Sequence, residues 1–351
     1  MKVGIIGTGG IANAHVRDGW SHLKSEGVQV VAAADIVPGK AAEFAAKYGI
    51  PYAFEDYHKI LEMGDVDAVS VCTYNMAHKQ PTVDALRAGK HVIVEKPMST
   101  FLVDAVEMVR AAKESGKLLM CAIKSRYSAE WMAARRFAQC GALGKIYYVQ
   151  ASGGRRRGVP GRTFIGKDTA GGGIVVDGGV YTIDNVLWVL GFPKPVSVTA
   201  ATNNYVGKLP APQPEGAMWQ WDPNKLEVED FGTAWVRFED GAVFSYMSAW
   251  AHHMEGMGGT YFLGVLGGIK LHPFELYHDQ AGYMVKTTSD LKVVEPAGQF
   301  KAEIAAFAKA IREGLPSPIP PEEVLLTNVI MQGIYDSAAA GHEIELEMPK
   351  I

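Results

Sequence analysis

Lys2-Val3-Gly4-Ile5-Ile6-Gly7-Thr8-Gly9-Gly10-Ile11-Ala12 decides the fold. An apolar strand-like run meets G-x-G-x-x-A, and a helical stretch follows at once. Gly7 allows the tight turn, Gly9 lets backbone approach a pyrophosphate, and Ala12 permits close packing of helix on sheet. Thr8, Gly10 and Ile11 complete a loop whose unpaired N–H groups face the phosphates. Glycines alone could make a turn that binds nothing. Here Asp35 ends the second strand at about the ~20-residue distance at which a carboxylate accepts ribose hydroxyls. Ile36 and Val37 follow, with no neighbouring Arg or Lys for a 2′-phosphate, so the expected cofactor is NAD rather than NADP.

Outward from that stretch, strands and helices alternate. Strand-like runs are Lys2–Ile6, Val28–Ala34, Pro51–Phe54, Val66–Cys72, His91–Glu95 and Leu118–Ile123. Several are apolar without alternation, as parallel strands covered on both faces are. Pro38 opens a helix that Gly49 closes, Gly89 follows a second, and Ser99 or Thr100 can cap a third that stops before Gly116. Parallel neighbours need right-handed crossovers, so residues 1–123 are expected to form a doubly wound Rossmann domain. After Ile123 the pattern changes. A helix over Ser128–Gln139, a strand over Lys145–Ala151 and a helix near Gly178–Leu190 precede a strand-rich stretch. Its best hairpin joins Phe231–Phe238 to Ala242–Trp250 through Asp240-Gly241. A Pro-rich excursion, Tyr205–Glu229, reads as a lid or an oligomer contact and carries Trp219 and Trp221. Phe300, Ile304, Phe307 and Ile311 mark one buried helical stripe. The expected fold class is therefore α/β: a Rossmann parallel sheet, then an α+β domain over 124–351 with a largely antiparallel, open-faced sheet.

Composition narrows the function. With 351 residues, 48% hydrophobic and 21% charged, the chain is a packed globule in two domains. Lys plus Arg number 34 against 38 Asp plus Glu, a net charge of −4, which excludes a polyphosphate-holding field and makes nucleic acid an unexpected partner. Three cysteines with no CxxC pair fit a reducing, cytoplasmic setting. No apolar run approaches the ~18 residues of a membrane span, and no signal peptide is expected.

Cys72-Thr73-Tyr74-Asn75-Met76-Ala77-His78 and Glu95-Lys96-Pro97 both leave carboxyl ends of parallel strands, where ligands of open α/β sheets bind. Thr73, Asn75, His78, Glu95 and Lys96 thus join the cofactor-edge candidates. With Gly171-Gly172-Gly173 and Asp177-x-Gly-x-Tyr181-x-x-Asp184, these motifs resemble the Gfo/Idh/MocA oxidoreductases over residues 1 to about 190. The resemblance implies that Lys96 is catalytic, that Asp177 and Tyr181 face the substrate, and that NAD(P) lies over the first sheet. Many members of that family carry His where this chain has Tyr181.

Asp177, Tyr181 and Asp184 are spaced by four and three, which places them on one helix face. Arg155-Arg156-Arg157 and Arg162 crowd a loop that reads either as a solvated surface or as a clamp for an anionic group. Lys124 and Arg126 are further candidates for polar substrate contacts. Adjacent His252 and His253 point opposite ways on an extended chain, so no metal is expected. The expected activity is NAD-dependent oxidation of a secondary hydroxyl on a sugar, glycoside or cyclic polyol. Lys96 and Tyr181 together would take up the hydroxyl proton. A redox glycosidase with retained NAD and a non-enzymatic NAD-binding sensor are the alternatives. Trp235, Phe244 and Tyr246 would make an uncovered sheet face unsafe, so a homo-dimer or homo-tetramer is expected.

Overall fold

The computed structural model describes residues 1–156, 158–209, 220–288 and 298–351. Met1–Lys124 with Glu295–Leu325 and Lys350–Ile351 form one compact unit; Ser125–Val294 with Leu326–Pro349 form the other.

The first unit is a six-stranded sheet: β1 (Lys2–Ile6), β2 (Gln29–Ala34), β3 (Tyr52–Phe54), β4 (Ala68–Val71), β5 (His91–Glu95) and β6 (Leu119–Ala122), in the order β3-β2-β1-β4-β5-β6. Every pairing is parallel. β4 and β6 are buried throughout, which is why their sequences run apolar without a break. The order reverses between β1 and β4, and the carboxyl ends there form the switch point at which open α/β sheets take ligands. Lys40–Tyr48 ends at Gly49 in the left-handed region, as its sequence implies. The third helix differs: it starts at Leu102 after an extended Phe101, with no side-chain cap. Ser99 lies too early to cap it, and its hydroxyl instead accepts the Phe101 N–H at 3.2 Å.

Helix Gly298–Glu313, expected with the second domain, belongs to the first unit. The predicted stripe explains the docking. The Phe307 ring meets Trp20 edge-on at 6.3 Å, and a Cβ on Gly19 would stand 2.2 Å from Ile304 Cδ1. Gly19 is therefore where the two segments cross.

The second unit carries nine strands: β7 (Ile146–Gly154), β8 (Pro195–Asn203), β9 (Phe231–Phe238), β10 (Val243–Ala249), β11 (Thr260–Gly264), β12 (Gly267–Lys270), β13 (Glu275–Gln280), β14 (Tyr283–Thr288) and β15 (Ile344–Glu345). Their order is β14-β13-β12-β11-β7-β10-β9-β8-β15, antiparallel except for the β7–β10 pair. Helices Ala129–Gln139 and Val180–Leu190 and the later turns of Pro321–Ala340 pack on one face. Phe244 and Tyr246 lie on that covered face, 0% and 1% exposed, which corrects the expectation that they front an open one. Trp235, opposite Ser245, is on the other face with Leu263 and Tyr277, each about two-fifths exposed. The helical run Lys167–Leu190 is long and apolar enough by composition to cross a membrane, contrary to the sequence expectation. Two-thirds (67%) of its most apolar 18-residue stretch is buried, so its apolarity serves the core beneath the sheet.

Candidate active site

In the first unit, Gly7 has φ +85°, and a Cβ there would stand 2.8 Å from the Cys72 carbonyl. Only glycine satisfies both the turn and this approach to the end of β4. A Cβ on Gly9 or Gly10 would meet nothing within 4 Å among the described residues, so the loop leaves room above its backbone. Asp35 secures that loop. Its Oδ2 accepts the Thr8 N–H and hydroxyl, both at 2.9 Å, and its Oδ1 accepts the Val37 N–H at 3.0 Å. Burial works against its charge, but these donors and Lys40 outweigh it and hold the carboxyl below the usual range. Lys40 Nζ lies 3.3 Å from Asp35. Ile36 and Val37 offer no cation, and Lys40, at the start of the following helix, supplies the basic neighbour instead. The open glycine backbone beside an ionised acid at the end of β2 fits a dinucleotide.

At the ends of β4 and β5, several candidates hold each other. His78 is 1% exposed; its Nδ1 lies 2.7 Å from the Pro97 carbonyl and its Nε2 3.2 Å from that of Thr73. Burial holds its pKa below the ordinary value, so the neutral ring donates through Nδ1, the shorter contact. Its ring nitrogens are spent inside the chain, which makes it a brace between the two loops rather than a cofactor ligand. Thr73 likewise gives its hydroxyl proton to the Ala77 carbonyl at 2.9 Å. Glu95 is buried, with Oε1 2.7 Å from His15 Nε2 and Oε2 accepting the Lys96 backbone N–H at 3.1 Å. Lys124 Nζ sits over the Phe300 ring at 5.0 Å.

In the second unit, Asp177 lies on one π-helical turn, Val175–Gly179, ahead of helix Val180–Leu190. Such turns are rare and cluster at functional sites. Its cause is close packing by segments distant in sequence: a Cβ on Gly173 would stand 1.8 Å from the Glu229 carbonyl oxygen, and one on Gly179 2.2 Å from the Tyr246 hydroxyl. Glu229 fixes the entry. Its carboxylate accepts the N–H groups of Gly173 (2.8 Å) and Val175 (3.1 Å) and the Tyr335 hydroxyl (2.8 Å). Asp177 Oδ2 accepts the Trp250 indole N–H at 3.0 Å, and an Arg155 guanidinium nitrogen lies 4.0 Å away. Tyr181 is half-buried against the core.

The helix-face reading is corrected at Asp184. The i→i+5 turn before it changes the phase, and Asp184 ends in a different place from Asp177. It is 0% exposed and accepts Arg126 Nε at 2.7 Å, Arg126 Nη2 at 3.0 Å and the Thr327 hydroxyl at 3.2 Å. Arg126, also buried, stacks over Trp188 and Phe192. The two residues read as substrate contacts are a closed ion pair inside the unit. Arg157 and Trp219 lie outside the described residues. Sequence reasoning missed Glu229 and His15, whose partners lie 54 to 106 residues away, and Lys40, whose short spacing from Asp35 alone carried any signal.

A Rossmann unit with an open glycine loop beside Asp35, followed by a largely antiparallel sheet unit, is the architecture of a class of nucleotide-dependent oxidoreductases. Residues 1–123 match the model of an oxidoreductase family with NAD-binding Rossmann fold, and residues 131–270 match the GFO/IDH/MocA C-terminal domain. D-glucoside 3-dehydrogenase of Escherichia coli is 30% identical over 352 residues, covering 99% of this chain and 97% of that one. 1,5-Anhydro-D-fructose reductase of Ensifer adhaerens is 26% identical, covering 98% of each. The structure of a levoglucosan dehydrogenase in complex with NADH superposes with a TM-score of 0.85 at 22% identity, covering 100% of both chains, and so shares the fold. This chain belongs to the Gfo/Idh/MocA oxidoreductases.

Proposed function

We propose that this protein is an NAD-dependent dehydrogenase that oxidises a secondary hydroxyl of a sugar, glycoside or cyclic polyol to the ketone. The observation that carries this reading is the Asp177 carboxylate, oriented by the Trp250 indole N–H and adjacent to Arg155. A carboxylate accepts from vicinal hydroxyls and a guanidinium donates to them, a pairing suited to a polyol. Burial lowers the Arg155 pKa and Asp177 opposes that; the guanidinium remains a cation at any working pH. The relatives named above for a glucoside and an anhydro-fructose support the same substrate class. The Gly7–Ala12 loop and Asp35 would hold NAD, with Asn75 and Lys96 at the same sheet edge. When bound, NAD supplies the hydride acceptor.

Asp35 favours NAD over NADP, because its charge opposes a 2′-phosphate and Lys40 is already drawn to it. One mismatched charged contact is worth about 1–3 kcal/mol. The experiment is cofactor identification by mass spectrometry, NAD and NADP affinities, and NADH absorbance across polyols and glycosides. Net NADH from a sugar hydroxyl and weaker NADP binding are expected. Turnover without net NADH would move the reading to a redox glycosidase; equal NAD and NADP affinities would remove the role given to Asp35.

We also propose a homo-dimer or homo-tetramer, with the second sheet's outer face as the contact. Trp235, Leu263 and Tyr277 stand exposed on it, and Tyr148 packs at 5.9 Å from Trp235. Apolar area of this kind is costly to leave in water. Light scattering at micromolar concentration should give a mass of two or four chains, and the mass of one chain would count against the proposal.

A further inference from the structure

Beneath the end of β5 the first unit buries a polar cluster that the reaction as described does not use. His15, 0% exposed, contacts Ser70 Oγ through Nδ1 at 2.9 Å and Glu95 through Nε2 at 2.7 Å. Ser70 Oγ also accepts the Trp20 indole N–H at 3.2 Å. Nε2 faces the Glu95 carboxylate, and Ser70 Oγ keeps a lone pair that can accept from Nδ1, so the site accommodates an imidazolium. Burial opposes that charge, but Cys72 and Glu95 outweigh it and hold the His15 pKa well above ordinary. Helix Gly298–Glu313 packs its Phe300 ring 6.0 Å from that of His15 and, one turn further on, carries Glu303. Glu303 is 0% exposed, and neither carboxyl oxygen has a hydrogen-bond partner among the described residues.

We propose that Glu303 is a positioning residue for Lys96, acting through the His15–Glu95 pair. The charged groups that bear on it are Glu95 from β5, His15 from the helix after the glycine loop, and Lys124 after β6; Cys72 bears in turn on His15. Glu95 and Glu303 are two buried carboxyls, and of the two only Glu95 bonds the His15 ring. Glu95 has the donors, so it carries the charge, and Glu303 keeps the proton. Burial and the Glu95 charge push the Glu303 carboxyl up to about 8. While Glu303 is neutral, His15 is committed to Glu95, whose other oxygen holds the Lys96 N–H. When Glu303 ionises it competes for His15 and loosens that hold. The sign follows: Lys96 is held below the Glu303 pKa and released as pH rises through it.

The test compares hydrogen exchange at the Lys96 amide, corrected for intrinsic rate, at about pH 7 and about pH 9.5, with kcat at both. The unmodified protein should lose about tenfold in protection at the higher pH, one unit of coupling. Its kcat should fall over the same interval, and Glu303→Gln, with Glu303→Met should the first not fold, should keep protection and lose that fall. Constant protection in the unmodified protein, or the same loss in the variants, overturns the proposal. The kcat arm rests on the dehydrogenase reading, whereas the exchange arm does not; failure of all sugar substrates with the exchange result intact would remove only that reading.

Discussion

Lys96→Met is expected to lower kcat by about 10²–10⁴ while leaving NAD affinity little changed. Hydride leaves carbon only as the hydroxyl proton is lost, and an unassisted alcohol is far too weak an acid to lose it. A lysine ammonium hydrogen-bonds the developing alkoxide, an interaction stronger in the transition state than in the bound alcohol, so its loss falls on kcat. The position suits that task. Lys96 leaves β5 with its backbone N–H held by Glu95, and the following Pro97 carbonyl is held by His78, so the segment is braced on both sides. Met keeps the length and apolar stem while removing the charge. Tyr181→Phe should give a comparable loss that eases as pH rises, because a phenol with an ordinary pKa near ~10 serves as a base only when its anion is stabilised, and hydroxide can take its place. Full activity in Tyr181→Phe with an unaltered pH profile would leave Lys96 as the base and Tyr181 as a shaping residue.

What the sequence disclosed divides along a physical line. β1 through β6 are legible because each is a short apolar run between helix signals, and the glycine fingerprint with Asp35 depends on local order alone. Contacts that close beyond the immediate sequence neighbours were not legible. Lys40 is five residues beyond Asp35, one turn into a connection, and adjacency on paper hid it. Helix Gly298–Glu313 had a clear apolar stripe, but a stripe does not name its partner, and the partner proved to be Gly19 and Trp20. Asp177 and Asp184 were joined by α-helical arithmetic that fails across the π turn, whose cause, the approach of Glu229 to Gly173, lies 56 residues away.

That last error has the largest consequence for stability. Asp184→Ala is expected to destabilise the protein by about 3–5 kcal/mol, the cost of stripping one partner from a buried ion pair. As substrate contacts, Arg126 and Asp184 would instead raise KM on substitution and leave the denaturation midpoint in place. The structure argues otherwise: the side chains are 3% and 0% exposed and bonded at two points. The two single variants should also differ. Arg126 cannot shed its charge, so Asp184→Ala leaves a buried cation without its carboxylate, stacked on the Trp188 and Phe192 rings. Arg126→Ala leaves an acid that can take up a proton. Burial without Arg126 would raise the Asp184 pKa above its unfolded value, so this variant's deficit should be largest at neutral pH and shrink as pH falls. Asp184→Ala has no such relief and should stay equally impaired. Replacing both by apolar residues, Arg126→Met with Asp184→Leu, should cost less than the sum of the single changes, because no charge is left unpaired. Urea midpoints across pH read all three. Equal midpoints with raised KM in both single variants would return the pair to the substrate site.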